Sequence, residues 1–160
     1  MENIIKFLDL YNLPWLLLAL LTWLIIFFTC SSRQFLHGLP VGIWTMAVGG
    51  ILEAFFIEHK FWIQRFILIH VGELDLFVLI GPFFAIGLLL IRFLPSTPWG
   101  KSIIVLGFSA LATLIELAAI KLHFLSYHES KWGWIYSMVA YCIGLTSALG
   151  FYYIYRHREN

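Results

Sequence analysis

Charged residues are scarce in this chain of 160 residues. Asp, Glu, Lys and Arg make up 12% of it, against about 25% in a typical soluble domain. The formal net charge is +1, so the chain has no basic face for nucleic acid, and no nucleic-acid partner is expected. Hydrophobic residues account instead for 61% of the chain, more than a soluble domain of this size can bury. The composition therefore excludes a soluble enzyme and predicts an integral protein of the lipid bilayer.

Cysteine and known catalytic motifs are equally sparse. The two cysteines, Cys30 and Cys142, fall in or at the end of apolar runs, which favours free buried thiols over a disulfide. The sequence contains no His-Glu-x-x-His, no Cys-x-x-Cys and no glycine-rich phosphate loop. No catalytic residue, metal or cofactor can be assigned from these patterns, and a protein that is not an enzyme is favoured.

Five apolar runs are each long enough to cross a bilayer, whose hydrocarbon core of about 30 Å requires roughly 20 helical residues. We predict an all-α integral membrane bundle of five transmembrane helices, folded as a single domain over residues 1–160. The expected spans are residues 13–30, 41–57, 74–93, 102–122 and 134–155. Residues 31–40 are expected to connect the first two spans. The segment 58–72 mixes charged and aromatic residues, which suits a short interfacial helix or a helical extension of a neighbouring span.

The orientation in the membrane depends on a nearly even division of basic residues. The side that holds the N-terminus has Lys6, Lys60, Arg65 and Lys131 outside the spans, and the other side has Arg33, Arg92, Lys101, Arg156 and Arg158. The slight excess favours an outside N-terminus and a cytoplasmic C-terminus, because basic residues collect on the cytoplasmic side.

When the sequence is compared with itself at one constant shift, several similar residues align. The shift aligns Glu53 with Glu116, Ile57 with Ile120, Phe61 with Phe124, and Gly81 with Gly144. The second and third spans would then form one repeat, and the fourth and fifth spans another in the same orientation. Parallel repeats of this kind occur in transporters. Chance matches are common in so apolar a chain, so the repeat is a hypothesis for the structure to test.

The strongest functional signal is a pair of carboxyl groups inside the predicted spans. A charged residue in hydrocarbon costs at least about 2.5 kcal/mol on insertion scales, so it normally faces the interior of a bundle and finds a partner. Glu53 and Glu116 both fall within the last two turns of their spans, on the side that holds the N-terminus. They are therefore expected at one depth, at the floor of a polar cavity. The alternative is that one of them forms an ion pair with Lys121.

More ionisable residues are expected near the same boundary. Imidazole and carboxylate groups together suit a metal or a proton relay, although here they are more simply solvated interfacial side chains. The candidate cavity residues that accompany Glu53 and Glu116 are Lys121, His123, His70, Glu73 and Asp75.

Small residues and one proline mark expected packing sites. Ala140, Gly144 and Ala148 recur every fourth residue in the fifth span, which favours close helix contacts. Pro82 follows Gly81 inside the third span and is expected to break the bond to the carbonyl of Val78 and bend the helix.

Several of these residues form short motifs that resemble a known group of proteins. They are Glu53 with Trp62 after the second span, Phe93-Leu94-Pro95 after the third, and Glu116 followed by the run from Lys131 to Ser137. In these motifs the chain resembles small uncharacterised multipass membrane proteins of spore-forming Gram-positive bacteria. The resemblance implies a bacterial plasma membrane and implies no activity.

Three hypotheses for function follow. The leading one is a membrane protein that binds or moves a small solute or ion through the cavity of Glu53 and Glu116. The second is a structural or regulatory subunit that packs against another membrane protein or a second copy of itself, motivated by the small residues of the fifth span. The third is a metal-dependent membrane enzyme that uses the histidines near the boundary.

Overall fold

The computed structural model describes residues 11–128 and 131–159, and this part of the chain is mostly helical. Its helices are α1 Pro14–Thr29, α2 Ser32–Glu58, α3 Leu76–Arg92, α4 Pro98–Lys121 and α5 Trp134–Glu159. Its short strands are β1 Trp62–Gln64, β2 His70–Val71, β3 Leu74–Asp75 and β4 Leu125–Tyr127. By length and composition, α2, α4 and α5 can cross a membrane, and α1 and α3 are shorter apolar helices.

The outer surface of the helices is apolar, as expected of a membrane protein. Large hydrophobic side chains stand exposed on α1 and α2, among them Phe27, Phe28 and Ile51, each more than two thirds exposed. An apolar surface this extensive promotes aggregation in water, but it is the usual surface of a protein in contact with lipid acyl chains. The fold therefore agrees with the membrane protein that the composition predicts. Cys30 and Cys142 are free thiols, as expected, but both are half-buried instead of buried.

The expectation that residues 31–40 form a connection is wrong, because α2 begins at Ser32 and includes them. Ser31 and Gln34 form a capping box, in which each side chain accepts a hydrogen bond from the backbone N–H of the other residue. Pro40 lies inside the helix. The helix continues past it because this part of α2 packs closely on α3; a Cβ added at Gly38 would lie 3.1 Å from Leu88 Cγ.

The segment 58–72 also differs from its prediction, because after the last residue of α2, Glu58, it forms strands instead of a helix. β1 pairs antiparallel with β4, which follows α4. β2 and β3 form a small hairpin closed by a turn at Gly72, whose φ of 65° suits glycine. The residues 74–75 expected to open the third span therefore lie in β3, and α3 starts at Leu76.

Pro82 lies in an irregular part of α3. The stretch Leu79–Phe83 forms a π-helical turn, the local widening that often accompanies a disrupted helical bond. Trp23 of α1 donates its indole N–H to the carbonyl of Ile80 in this turn, at 3.0 Å. Gly81 allows α1 to approach closely, because a Cβ at this position would lie 2.6 Å from Ala19 Cα. Gly81 is therefore a position of close packing between α1 and α3.

The backbone after α2 repeats after α4, at the spacing that relates Glu53 to Glu116 in the sequence. α2 ends at Glu58 and α4 at Lys121, and Ile63 of β1 is directly opposite Ser126 of β4, its equivalent under the same shift. Two further hydrogen bonds are reciprocal. Arg65 N–H donates to the carbonyl of Phe124, and His128 N–H donates to the carbonyl of Phe61, both at 2.9 Å. The two segments are thus related by a local two-fold axis through the β1–β4 pair.

Helix packing follows the same division. α2 packs along α3, α4 packs along α5, and α5 also contacts α2. α1 stands outside the repeat and packs against the first half of α3. Buried apolar clusters hold the helices together, one of them around Val41, Leu90 and Leu145, and another around Trp15, Trp62 and Phe124.

Candidate functional site

A cavity of about 200 Å³ lies between the helices and is lined by all five of them and by β1. Glu53 of α2 and Glu116 of α4 both line it, so the structure brings together the two carboxyl groups that the sequence singled out. Most of the remaining wall is apolar, and six of its side chains are aromatic. These aromatic residues are Trp15, Phe56, Trp62, Phe83, Phe108 and Tyr141.

Glu53 and Glu116 occupy equivalent positions of the repeat. Each lies five residues before the end of its helix, Glu58 for α2 and Lys121 for α4, which corresponds to roughly 7–8 Å along the axis. Each residue is only 6% exposed. Both side chains line the same cavity. The two residues therefore lie at the same distance from the ends of their helices, as a shared depth requires.

Glu116 is held by hydroxyl groups on one of its oxygens. Its Oε1 accepts hydrogen bonds from the hydroxyl of Tyr127 in β4 and from Ser137 Oγ of α5, the latter at 2.7 Å. The hydroxyl of Tyr141 also interacts with this carboxyl group. Ser137 is itself fixed, because Trp132 donates its indole N–H to Ser137 Oγ at 2.8 Å. Side chains that follow α4 and begin α5 thus set the orientation of Glu116.

Glu53 has no equivalent set of donors. The positions that correspond in the repeat to Tyr127, Ser137 and Tyr141 are Gln64, Leu74 and Val78. Two of these three are apolar. Among the described residues, no hydrogen-bond partner is found for Glu53 Oε2, which is fully buried. The repeat therefore places two carboxyl groups symmetrically but anchors only one of them, and Glu53 remains available to a ligand.

Three buried polar atoms of the cavity residues lack a partner in the described part of the chain. They are Oε2 of Glu53, Oε2 of Glu116 and Nε1 of Trp62. Buried polar groups are nearly always hydrogen-bonded in folded proteins, and two uncompensated carboxylates in an apolar site are costly. A proton, a cation or a polar solute in the cavity would satisfy them.

No cation of the chain supplies that compensation within residues 11–128 and 131–157. Lys121, the expected ion-pair partner, is exposed at the end of α4 and does not line the cavity. The alternative in which Lys121 neutralises one carboxyl group is therefore not supported.

The other candidate residues lie outside this cavity. His123, His70 and Glu73 are exposed in the turns that follow the helices and in the β2–β3 hairpin. Asp75 is fully buried, but it accepts hydrogen bonds from the backbone N–H groups of Leu68 and Phe77 and so holds the loop before α3. The described residues contain no group of three or more His, Cys, Asp or Glu side chains placed to hold a metal ion. The structure thus gives the histidines no shared site.

Sequence reasoning missed the hydroxyl groups around Glu116. Tyr127 lies after α4, where an aromatic side chain is expected to sit at the membrane interface, yet its phenol points at a buried carboxyl group. Burial and the neighbouring Glu116 carboxyl raise the pKa of Tyr127 well above its ordinary value, so its hydroxyl remains a donor at physiological pH. The available signal in the sequence was that Tyr127 follows the intramembrane acid Glu116 by 11 residues. This spacing indicates a contact only when the strand β4 that follows α4 is known.

The small residues of α5 face inward instead of outward. Ala140 and Gly144 line the cavity, and Ala148 is completely buried in a cluster with α2 and α3. Gly144 corresponds in the repeat to Gly81, but no atom lies within 4 Å of a Cβ built on it, whereas Gly81 is covered by α1. In the described part of the chain, the second repeat has no counterpart of α1. The space that α1 fills beside Gly81 therefore stays open beside Gly144.

No protein-family model, no curated protein and no solved structure matches this chain. The class that the fold itself supports is a mostly helical membrane protein with an acidic cavity between two structural repeats.

Proposed function

We propose that this protein binds a small solute or ion in the cavity between Glu53 and Glu116 and moves it across the membrane. The observation that carries the proposal is that these two carboxyl groups, at equivalent positions of the repeated helices, line one cavity and each keep a buried oxygen without a partner in the described part of the chain. Acids at membrane depth are costly and typically serve ion or proton pathways. Parallel repeats around a central site support the same proposal.

The two acids would have different roles. Glu116, held by Tyr127 and Ser137, would supply a fixed charge or proton acceptor. Glu53, whose Oε2 has no partner in the described part of the chain, would bind the solute and exchange a proton with it. The π-helical turn at Pro82 borders the cavity, and such turns are common at functional sites.

The proposal includes a membrane arrangement. α1 and α3 would cross the bilayer together with α2, α4 and α5, giving a multipass protein of five spans in a bacterial plasma membrane. The N-terminus would be outside and the C-terminus cytoplasmic. Green fluorescent protein fused to the C-terminus should then fluoresce in bacterial cells, because it does not fold after export in unfolded form; a dark fusion of full length would contradict this orientation.

Proton movement in liposomes tests the transport proposal. The proton is the probe because both carboxyl groups bind it whatever the solute is. With valinomycin and K⁺ to balance charge, liposomes that contain the protein should dissipate an imposed pH gradient faster than empty ones, as read by trapped pyranine. The double variant Glu53→Gln with Glu116→Gln should be no faster than empty liposomes.

Glu58→Gln is the matched control. Glu58 is an exposed acid at the end of α2, so its variant should behave like the wild type. A double variant that elutes as a folded protein with wild-type helicity and still conducts protons at the wild-type rate would overturn the proposal.

A further inference from the structure

We infer that the solute is a small primary ammonium ion with an apolar body about the size of a benzene ring. The inference rests on the proposed function and gives its substrate class. Three properties of the cavity lead to it: its charge, its volume and the chemistry of its walls.

The charge of the cavity favours a cation over an anion or a neutral solute. Among the residues that the structure describes, two carboxyl groups line it and no Lys or Arg does. An ammonium group has three N–H donors, and two of them satisfy the orphaned oxygens, Oε2 of Glu53 and Oε2 of Glu116. The ligand thus supplies the positive charge and the hydrogen-bond donors that the described residues do not provide.

The walls favour an organic cation over a metal ion. Calcium takes six to eight oxygen ligands and magnesium close to six, whereas the polar groups of this cavity are few beside its apolar and aromatic side chains. Trp15, Trp62 and Phe56 are among the rings of the wall. Aromatic faces attract ammonium groups and also pack against apolar ligand bodies. An inorganic ion would leave most of this surface unused.

The volume of the cavity suits a ligand with a single ring. The cavity measures about 200 Å³. An apolar protein cavity of about 150 Å³ accommodates benzene, so the space here fits a ring with a short ammonium-bearing chain. Of the three cavity atoms without a partner in the described part of the chain, Trp62 Nε1 is the only hydrogen-bond donor. It would bind an acceptor atom on the body of the ligand.

Binding of 2-phenylethylammonium to the purified protein in detergent tests the inference, by isothermal titration calorimetry at neutral pH. The matched neutral compound is 2-phenylethanol, which replaces the ammonium group with a hydroxyl of similar size. The ammonium ion should bind at least about tenfold more tightly than the alcohol, because hydrogen bonds to charged groups are the stronger ones. Equal affinities would overturn the inference, and so would displacement of the ammonium ion by equimolar Na⁺ or K⁺.

The variants locate the binding site. Glu53→Gln should weaken binding of 2-phenylethylammonium by about tenfold or more, and Glu58→Gln should leave it within about twofold. Gly144→Leu provides an independent test, because Gly144 lines the cavity and no atom of the described residues lies within 4 Å of a Cβ there, so a larger side chain can be added beside the site without a clash. Its control is Gly107→Leu, an open helical glycine of α4 that does not line the cavity.

The outcomes separate this inference from the proposed function. Loss of binding in Gly144→Leu but not in Gly107→Leu would support the inference. Unchanged binding in both would overturn it, even where Glu53→Gln has an effect. If 2-phenylethylammonium does not bind while proton movement still depends on Glu53 and Glu116, the inference fails and the proposed function stands. If proton movement is independent of both acids, the proposed function itself fails.

Discussion

Lys60 and His123 are equivalent positions of the repeat, and each has a left-handed backbone, with φ values of 57° and 64°. Each is the second residue after its helix, α2 or α4, and each donates its N–H to a carbonyl three residues earlier, that of Ile57 or Ile120, at 2.9 Å. Two side-chain-bearing residues thus adopt an unfavourable conformation at the same point of both repeats. The turn they make directs β1 and β4 toward each other over the cavity.

Glycine at either position should stabilise the protein. A left-handed conformation costs an L-residue about 1–2 kcal/mol, and glycine avoids that cost while losing about 0.5–1 kcal/mol of chain entropy. Lys60→Gly and His123→Gly should each raise the free energy of unfolding by up to about 1 kcal/mol. Unfolding in mixed micelles followed by circular dichroism measures this.

Gly72→Ala is the control for the conformational argument. Gly72 has a φ of 65° and no atom within 4 Å of a built Cβ, so only the backbone conformation opposes alanine there. This variant should be destabilised by about 1 kcal/mol. A gain in stability for Gly72→Ala, or a loss for both glycine variants, would contradict the assignment of these turns.

Ser137 is predicted to be the most sensitive hydroxyl of the site. It is 1% exposed, donates to Glu116 and accepts from Trp132. Ser137→Ala should reduce the free energy of unfolding by about 1–3 kcal/mol, because it leaves a buried indole N–H unpaired and removes a donor from a buried carboxyl group. Ser126→Ala, in the middle of β4, should change it by less than about 0.5 kcal/mol. Equal effects of the two substitutions would show that Glu116 is not held as described.

Two buried tryptophans should respond differently to removal of the indole N–H. Trp15 donates to the carbonyl of Arg65 at 2.7 Å, whereas Trp62 Nε1 has no partner in the described part of the chain. Their exposures are nearly equal, at 6% and 7%, so the loss of ring volume on substitution by phenylalanine is comparable. Trp15→Phe should therefore be more destabilising than Trp62→Phe by about 1 kcal/mol.

Ligand binding should reverse the ranking of the two tryptophan variants. Because Trp62 Nε1 has no partner among the described residues, it can donate to a solute, so Trp62→Phe should weaken binding of a ligand that carries an acceptor atom, and Trp15→Phe should not. Calorimetry with 2-amino-1-phenylethanol, whose hydroxyl supplies the acceptor, measures this. If Trp62→Phe proves as destabilising as Trp15→Phe and leaves binding unchanged, Trp62 has only a packing role.

The features that sequence reasoning predicted correctly depend on local patterns. The apolar composition indicated a membrane protein, and counting residues along the apolar runs placed Glu53 and Glu116 near the ends of their helices. The repeat was visible as a constant shift between similar residues, although only as one match among many that chance provides. In each case the information lay within a single helix or in a fixed spacing.

The features that it missed depend on contacts between distant residues. Proline normally breaks a helix, but packing of α2 on α3 keeps Pro40 inside a helix that a capping box starts at Ser31. The β1–β4 pair joins residues from distant parts of the chain, and no local pattern in the segment 58–72 specifies it. The same pairing brings Tyr127 to Glu116. The position of this hydroxyl group at the site therefore depends on a tertiary contact.

Chemical labelling of the carboxyl groups tests the central claim, that Glu53 and Glu116 share one accessible cavity. N,N′-diisopropylcarbodiimide is small, apolar and uncharged, and it reacts with protonated carboxyl groups. Mass spectrometry of the treated protein in liposomes should find it mainly on Glu53, less on the hydroxyl-bound Glu116, and rarely on both residues of one molecule, because the first adduct occupies part of the shared cavity. Labelling of Glu53 that does not exceed that of the exposed Glu58, or frequent double labelling of Glu53 and Glu116, would contradict the shared cavity.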